Sequence, residues 1–147
     1  MKINRATADD AEALSEILGE IEAYYGGQAV PGDLGQIRNA LFGDHPVATV
    51  LLAREGAAVL GLASYSLLWP AAGADTSLFL KELFVIAGAR RRGVARALMT
   101  ALREEAAALG CSRIEWTADT DNPAALALYE ALGVPQDDSK VFYRAAL

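Results

Sequence analysis

The sequence is poor in cysteine and contains no long apolar segment. Cys111 is the single cysteine among 147 residues, so no disulfide can form within the chain. Charged residues and glycines interrupt every apolar stretch, and none approaches the ~20 residues that a membrane-spanning helix needs. Residues 1–14 contain no apolar run followed by a small-residue cleavage site. We therefore expect a cytoplasmic protein that does not bind a membrane.

Positive charge is also scarce in this chain. The sequence has 13 Lys and Arg against 19 Asp and Glu, which gives a net charge of -6. Nucleic-acid binding depends on clustered cations, so we expect no nucleic-acid partner. His45 and Cys111 have no companions at metal-ligand spacing, so no metal site is expected. A chain of this length is expected to form a single domain over residues 1–147.

The basic residues that are present are concentrated in one part of the chain. Residues 71–110 carry six basic and four acidic side chains, whereas residues 1–70 carry four and nine, and residues 111–147 carry three and six. Four of the cations, Arg90, Arg91, Arg92 and Arg96, fall within seven positions. The sequence thus predicts one small anion-binding spot in an acidic protein. The acidic surroundings would attract a cationic substrate by long-range steering.

Hydrophobic periodicity and capping residues predict a mixed α/β or α+β fold. Strands are expected near residues 2–5, 47–53, 57–68, 77–86, 112–118 and 140–144, and helices near 7–22, 33–41, 93–109 and 122–132. Gly61 is expected to mark a β-bulge. No internal repeat or long linker interrupts this order.

The most informative stretch joins a predicted strand to a predicted helix through a basic turn, within Lys81–Met99. The first N–H groups of a helix lack partners and the helix dipole favours negative charge there, so a phosphate can be held largely by main chain. Gly93 and Ala95 keep that backbone accessible. A Walker loop is excluded because Val94 follows Gly93 where lysine is required. No Gly-x-Gly-x-x-Gly fingerprint for a dinucleotide is present.

Two motifs resemble those of the GNAT superfamily of acyl-CoA N-acyltransferases. Arg90–Ala95 resembles the Gln/Arg-x-x-Gly-x-Gly/Ala turn that binds pyrophosphate in that family. Asn122–Val134 is similar to its Asn-x-x-Ala-x-x-Leu-Tyr-x-x-x-Gly-Phe helix, and Asn122 follows Gly93 by 29 residues, about the usual separation. The chain is identified as a member of the superfamily on these two motifs in register.

The resemblance implies both a fold and a reaction. The fold would be a GNAT-like twisted, mixed, mostly antiparallel sheet flanked by helices, with acetyl-CoA wedged between two splayed central strands. The reaction would be direct transfer of an acetyl group from acetyl-CoA to a primary amine of a small molecule. Two alternatives remain open, namely N-acetylation of a protein or peptide and a non-catalytic acyl-CoA-binding module.

The resemblance also assigns residues to the cofactor and to catalysis. Main chain at Leu83, Phe84 and Val85 and the side chain of Asn122 would contact pantetheine, and Arg90, Arg91, Arg92, Gly93, Val94, Ala95 and Arg96 would bind the pyrophosphate. Arg91 stands where the family often has glycine. Tyr129 would protonate the departing thiolate, which is a general-acid role.

The general base and the acceptor site are assigned from a narrower resemblance. Leu80–Val85 resembles a segment of the spermidine/spermine and thialysine acetyltransferases, which makes Glu82 the candidate base, although Lys81 replaces the acidic residue usually credited there. Tyr24 and Tyr25 are assigned to the acceptor because aromatic rings attract ammonium groups, and Trp69 is assigned with them. A homodimer through an edge strand at residues 141–143 is a further expectation.

Overall fold

A computed structural model describes all residues from 1 to 147, in two compact units, Met1–Trp116 and Thr117–Leu147. The first unit contains β1 (Lys2–Arg5), α1 (Ala11–Tyr24), α2 (Leu34–Phe42), β2 (Thr49–Glu55), β3 (Ala58–Leu68), β4 (Ser77–Val85), α3 (Val94–Ala108) and β5 (Arg113–Glu115). The second unit contains α4 (Pro123–Ala131). The mixed α/β class is confirmed, whereas a single domain over the whole chain stays a prediction. None of the helices combines the length and apolar character that crossing a bilayer requires.

Capping residues fix where the first two helices begin. A short 3-10 turn at Ala8–Asp10 precedes α1, and the Thr7 N–H donates to Oδ2 of Asp10 across 2.8 Å. Asp33 caps α2, because its Oδ1 accepts a 2.8 Å hydrogen bond from the backbone N–H of Gln36. Both contacts satisfy donors that have no partner within a helix, as the sequence predicted.

The sheet has the strand order β1-β2-β3-β4-β5. Strands β1 to β4 pair antiparallel and β5 runs parallel to β4, so the expected mostly antiparallel sheet is confirmed. The β4–β5 ladder covers three pairs, from Ser77 opposite Arg113 to Phe79 opposite Glu115. The remaining six residues of β4 have no partner in β5. This early end of the ladder is the predicted splay.

A bulge in β4 changes which face of the sheet its side chains occupy. Tyr65 of β3 lies opposite Leu80, but the preceding residue, Ser64, lies opposite Glu82, so Lys81 is an extra residue. Directly opposed residues share a face, and the face alternates along each strand. Leu80 therefore shares a face with Tyr65, while Glu82 faces the other way despite lying only two positions further on.

A second bulge lies between β2 and β3. Ala53 is opposite Gly61 and Arg54 is opposite Val59, so Leu60 is the extra residue and Gly61 flanks it. Gly61 also permits a close approach of β3 to β4, because a Cβ at this position would lie 2.5 Å from the carbonyl oxygen of Phe84. The expected association of Gly61 with a bulge is thus seen in the structure.

Helices cover both faces of the sheet. One face packs with α1 and α2 into a buried cluster of Ala11, Leu14, Ile17, Ile21, Ile37, Val50, Leu52, Leu62 and Phe84. On the other face, α3 lies against β2, β3 and β4 and buries Leu98 and Leu102 completely. Burial of these apolar side chains supplies the main stabilisation of the unit.

A polar contact fastens α3 to the sheet at Glu105. Its Oε2 accepts from the Tyr65 hydroxyl at 2.5 Å and from Nη2 of Arg5 at 2.6 Å. Burial, together with the hydrogen bond to this carboxylate, raises the pKa of Tyr65 to about 12. Burial acts to raise the pKa of Glu105 as well, but hydrogen bonds from Arg5 and Tyr65 outweigh it, and the pKa lies below its usual value.

The second unit has one helix and no strand. Oδ1 of Asn122 accepts from the N–H of Ala125 at 3.2 Å and Pro123 occupies the first turn, as the sequence predicted for the start of α4. The strand expected at residues 140–144 is wrong. Val141, Phe142 and Tyr143 are 74%, 63% and 86% exposed and pair with no neighbouring strand, and alternation without a ladder partner does not make a strand.

Candidate active site

Side chains from the end of α1 meet side chains from β4 on one face of the sheet. The hydroxyl of Tyr25 lies 3.4 Å from Oε1 of Glu82. The ring of Tyr24 stands edge-on to Tyr25, with centroids 5.1 Å apart, and edge-on to Phe84, with centroids 5.8 Å apart. We call these four residues the aromatic–carboxylate cluster.

The cluster forms because two local features coincide. The helix α1 ends at Tyr24, and the Tyr25 N–H closes its last turn on the carbonyl of Ile21, which is buried in the core. The bulge in β4 turns Glu82 and Phe84 towards the face that α1 covers. The end of the helix and the second half of the strand therefore present their side chains to each other.

Arg90 adds a cation to this cluster. Its Cζ lies 5.1 Å from the ring centroid of Tyr24 and 5.8 Å from that of Phe84. Its Nε donates to the carbonyl oxygen of Val85 across 3.2 Å. Aromatic rings attract guanidinium groups through their negative faces, so Arg90 links the basic turn to the end of α1.

The other arginines of the basic turn have different environments. Arg92 pairs with Glu55 at 2.7 Å, a contact in which both side chains are about half exposed. Arg91 and Arg96 are exposed and make no ion pair. Arg91 has a φ of 60°, a conformation that favours glycine. This explains why the family that the motifs resemble often has glycine at this position.

The start of α3 is open to an anion. Gly93 is the N-cap residue with a φ of 80°, and no side chain caps the helix. No acidic residue occupies its first turn, and nothing lies within 4 Å of where a Cβ of Gly93 would be. Val94 is buried and anchors the helix, so the free N–H groups of the first turn are held in place beside Arg91 and Arg96. This donor set fits a pyrophosphate.

The β4 residues assigned to pantetheine lie where the sheet splays. Leu83, Phe84 and Val85 pair with β3 through Ala63, Leu62 and Gly61, beyond the last β5 pair. Phe84 is buried and its neighbours are half-buried. The backbone of this segment is therefore fixed on its β3 side and leads directly into the basic turn.

Trp69 is not brought to the aromatic–carboxylate cluster. It follows the last residue of β3, which pairs with Ser77, and Ser77 lies five residues, about 16 Å of strand, from Glu82. The indole is 68% exposed and its Nε1 donates to the carbonyl of Ala74 at 2.8 Å. In this structure it orders the loop between β3 and β4.

Asn122 and Tyr129 belong to the second unit, where both are half-buried on α4. They are separated by seven residues, close to two helical turns, so their side chains share one side of the helix. The side-chain carbonyl of Asn122 caps the helix, as described above. No group of three or more His, Cys, Asp and Glu side chains is close enough to hold a metal ion.

Comparison with known proteins identifies the family. The model of the acetyltransferase (GNAT) family matches residues 12–134. The chain therefore belongs to this family, as the two motifs predicted. The match includes the aromatic–carboxylate cluster, the basic turn and α4.

Solved structures share the fold over nearly the whole chain. An integron cassette protein from the mobile metagenome of V. cholerae is 31% identical, with 99% of this chain and 91% of that chain covered and a TM-score of 0.86. An aminoglycoside acetyltransferase from an uncultured soil metagenomic sample is 26% identical, with coverage of 99% and 98% and a TM-score of 0.76. The GNAT fold inferred from the motifs is thus confirmed.

A curated relative is similar over a shorter stretch. The aminoglycoside N(6')-acetyltransferase type 1 of Salmonella typhimurium is 31% identical over 74 residues, which are 49% of this chain and 51% of the relative. The chain spans about half the length of the curated relatives it matches.

Proposed function

We propose that this protein is an acetyl-CoA-dependent N-acetyltransferase that transfers the acetyl group directly to a primary amine of a small molecule. One observation carries the proposal: the half of β4 that has no partner in β5 leads into an uncapped helix start flanked by arginines. This arrangement offers main-chain groups to an extended amide chain and, next to them, N–H donors to a pyrophosphate. Family membership supports the same conclusion.

Acetyl-CoA would be held by residues of β4 and α3. The N–H groups of Gly93, Val94 and Ala95, with the guanidinium groups of Arg91 and Arg96, supply the donors for the pyrophosphate. Main chain at Leu83–Val85 supplies partners for pantetheine, and Asn122 adds a side-chain contact. Bound in this way, acetyl-CoA supplies an acetyl group activated as a thioester.

The aromatic–carboxylate cluster would receive the amine. A protonated amine is attracted by the rings of Tyr24 and Tyr25 and by the carboxylate of Glu82. Glu82 then takes a proton from the ammonium, and the freed nitrogen forms the new amide bond to the acetyl carbon while the carbon–sulfur bond breaks. The hydroxyl of Tyr25 holds the Glu82 carboxylate in orientation.

Tyr129 would supply the proton for the leaving sulfur, and the second proton that the nitrogen loses as the amide forms would return to Tyr129 through solvent. We assign it the role of general acid, which protonates the sulfur as the thiol of CoA departs. The acceptor is expected to carry several amines, since the Salmonella typhimurium relative is named for aminoglycosides and residues 1–70 have a net charge of -5. A cytoplasmic location and a homodimer stay predictions.

A thermal-shift and turnover experiment tests the proposal. Acetyl-CoA is expected to raise the melting temperature of the protein, and acetyl-CoA consumption is then screened against polyamines, amino acids, aminoglycosides and short peptides. Release of CoA with one of the small amines supports the proposal. A peptide as the only acceptor supports the protein-acetylating alternative, and a thermal shift without turnover supports the non-catalytic module.

Two variants test whether the rise in melting temperature on binding of acetyl-CoA depends on the basic turn. Arg91→Ala combined with Arg96→Ala is expected to reduce the acetyl-CoA shift, because it removes two exposed guanidinium groups that make no ion pair within the protein. Arg103→Ala is the matched control, since Arg103 is an exposed arginine further along the same helix. An equal loss of the thermal shift in Arg103→Ala would mean that the phosphates do not bind at the basic turn.

A further inference from the structure

The guanidinium of Arg90 contacts aromatic rings and main chain at the same time. Its Cζ lies over the rings of Tyr24 and Phe84, at 5.1 and 5.8 Å from the centroids. Its Nε donates to the carbonyl oxygen of Val85. The terminal nitrogens make no hydrogen bond to protein. The terminal N–H groups of Arg90 are therefore available to an anion while Cζ stays over the rings.

Arg90 also connects segments that are far apart in the sequence. Tyr24 is at the end of α1 and carries one wall of the proposed acceptor site, whereas Arg90 stands at the start of the basic turn, three residues before Gly93. The contact between Arg90 and the Tyr24 ring links the two segments directly, and Phe84 contacts both side chains. Tyr24 is 43% exposed, so part of its ring is open to an acceptor.

From this geometry we propose that Arg90 is a positioning residue that couples acetyl-CoA binding to the acceptor wall at the end of α1. The inference rests on the function proposed above. When a pyrophosphate binds the terminal N–H groups of Arg90, the side chain loses freedom, and the ring of Tyr24 that it contacts loses freedom with it. The amine site is then ordered by the acetyl donor.

The coupling requires arginine and not merely positive charge. A lysine at position 90 would keep an attraction to phosphate but has no planar group that stacks on a ring and binds an anion at the same time. Arg92 offers the natural comparison. It belongs to the same turn and has the same charge, but it pairs with Glu55 and contacts no ring.

Hydrogen exchange tests the inference without knowledge of the amine. Coenzyme A itself is the probe, and the amides of residues 22–27 are followed, since those of Tyr25, Gly26 and Gly27 close the end of α1 through hydrogen bonds. In the unaltered protein, saturating CoA is expected to slow exchange of these amides by about fivefold or more, the lower end of ordinary coupling between sites. In Arg90→Lys and Arg90→Gln, each measured at its own saturating CoA concentration, exchange there should stay unchanged on binding.

Two matched variants separate coupling from affinity. Arg92→Lys is expected to weaken CoA binding at most modestly and to keep the slowed exchange at residues 22–27. Tyr24→Leu is expected to bind CoA normally and to lose the effect, because the ring that transmits it is absent. Slowed exchange in the Arg90 variants, or in Tyr24→Leu, would overturn the inference.

The design distinguishes failure of the inference from failure of the function. CoA binding without slowed exchange at the end of α1 in the unaltered protein overturns the role of Arg90 and leaves the acetyltransferase proposal intact. No binding of CoA overturns both. Steady-state kinetics give an independent check once an amine is found: Arg90→Lys should raise the KM for the amine more than the KM for acetyl-CoA.

Discussion

The hydroxyl of Tyr25 lies 3.4 Å from Oε1 of Glu82, although the two residues are 57 positions apart. The contact depends on Lys81, whose insertion as a bulge turns the Glu82 side chain to the face that α1 covers. Without the bulge, Glu82 would share the face of Leu80 and could not meet the end of α1. The backbone irregularity thus gives the candidate base its position.

Replacement of Glu82 tests its role as a base. Glu82→Gln keeps the size of the side chain but cannot accept the proton, so kcat is expected to fall by roughly 10²- to 10⁴-fold at neutral pH. The affinity for acetyl-CoA, measured by thermal shift, should be unchanged. Tyr25→Phe removes the hydroxyl that orients the carboxylate and should cost less than Glu82→Gln. A larger loss in Tyr25→Phe would make the tyrosine, and not Glu82, the proton acceptor.

Replacement of Tyr129 tests the general acid. Tyr129→Phe keeps the ring on α4 and removes the hydroxyl that would protonate the thiolate, so kcat should fall while acetyl-CoA affinity stays nearly the same. Tyr143→Phe is a suitable control, because Tyr143 is 86% exposed in the same unit. An unchanged rate in Tyr129→Phe removes the acid role and leaves the rest of the proposal standing.

Because of the contact between Tyr65 and Glu105, the free energy of unfolding is expected to fall at alkaline pH. The pKa of Tyr65 is raised from 10.0 to about 12 in the folded protein, so the folded state holds a proton that the unfolded state releases between these values. The stabilisation is complete below pH 10 and is lost as the pH rises towards 12, at up to about 1.4 kcal/mol per pH unit. Urea unfolding at a series of pH values measures this loss.

Tyr65→Phe isolates that contribution from the other tyrosines. Loss of a hydrogen bond to a carboxylate should lower the free energy of unfolding by about 1.5 kcal/mol at pH 8, and Glu105 stays paired with Arg5. The variant should also show a shallower decline above pH 10. An identical decline in both proteins would mean that Tyr65 does not titrate differently on folding.

Local features of the sequence predicted most of the fold. The cap at Asp33, the Gly93 start of α3 and the Asn122–Pro123 start of α4 act within one helical turn, so they are readable from short stretches. The strands β1 to β4 were bounded to within about two residues by their apolar pattern. The strand near residues 112–118 proved shorter, because β4 pairs with it over only three residues.

The features that shape the site depend on contacts between distant residues. The bulge at Lys81 is fixed by pairing with β3, and simple alternation from Leu80 points Glu82 to the wrong face. The contact of Arg90 with the Tyr24 ring joins positions 66 apart, and the sequence suggested only that Arg90 faces phosphate. A strand at residues 140–144 would need a neighbouring strand to pair with, and the local sequence pattern does not show whether one is present.

The backbone at Arg91 yields a prediction about stability and binding together. A side chain in the left-handed region costs ~1–2 kcal/mol, and the greater freedom of glycine in the unfolded chain returns ~0.5–1 kcal/mol of that. Arg91→Gly should therefore raise the free energy of unfolding by about 0.5–1 kcal/mol, measured in urea.

Arg91→Ala loses the same charge but keeps a Cβ at a φ of 60°, so its stability should not rise. Both variants should lose the same acetyl-CoA affinity, because each lacks the guanidinium. A gain of stability in both would instead attribute the effect to repulsion among the arginines of the turn.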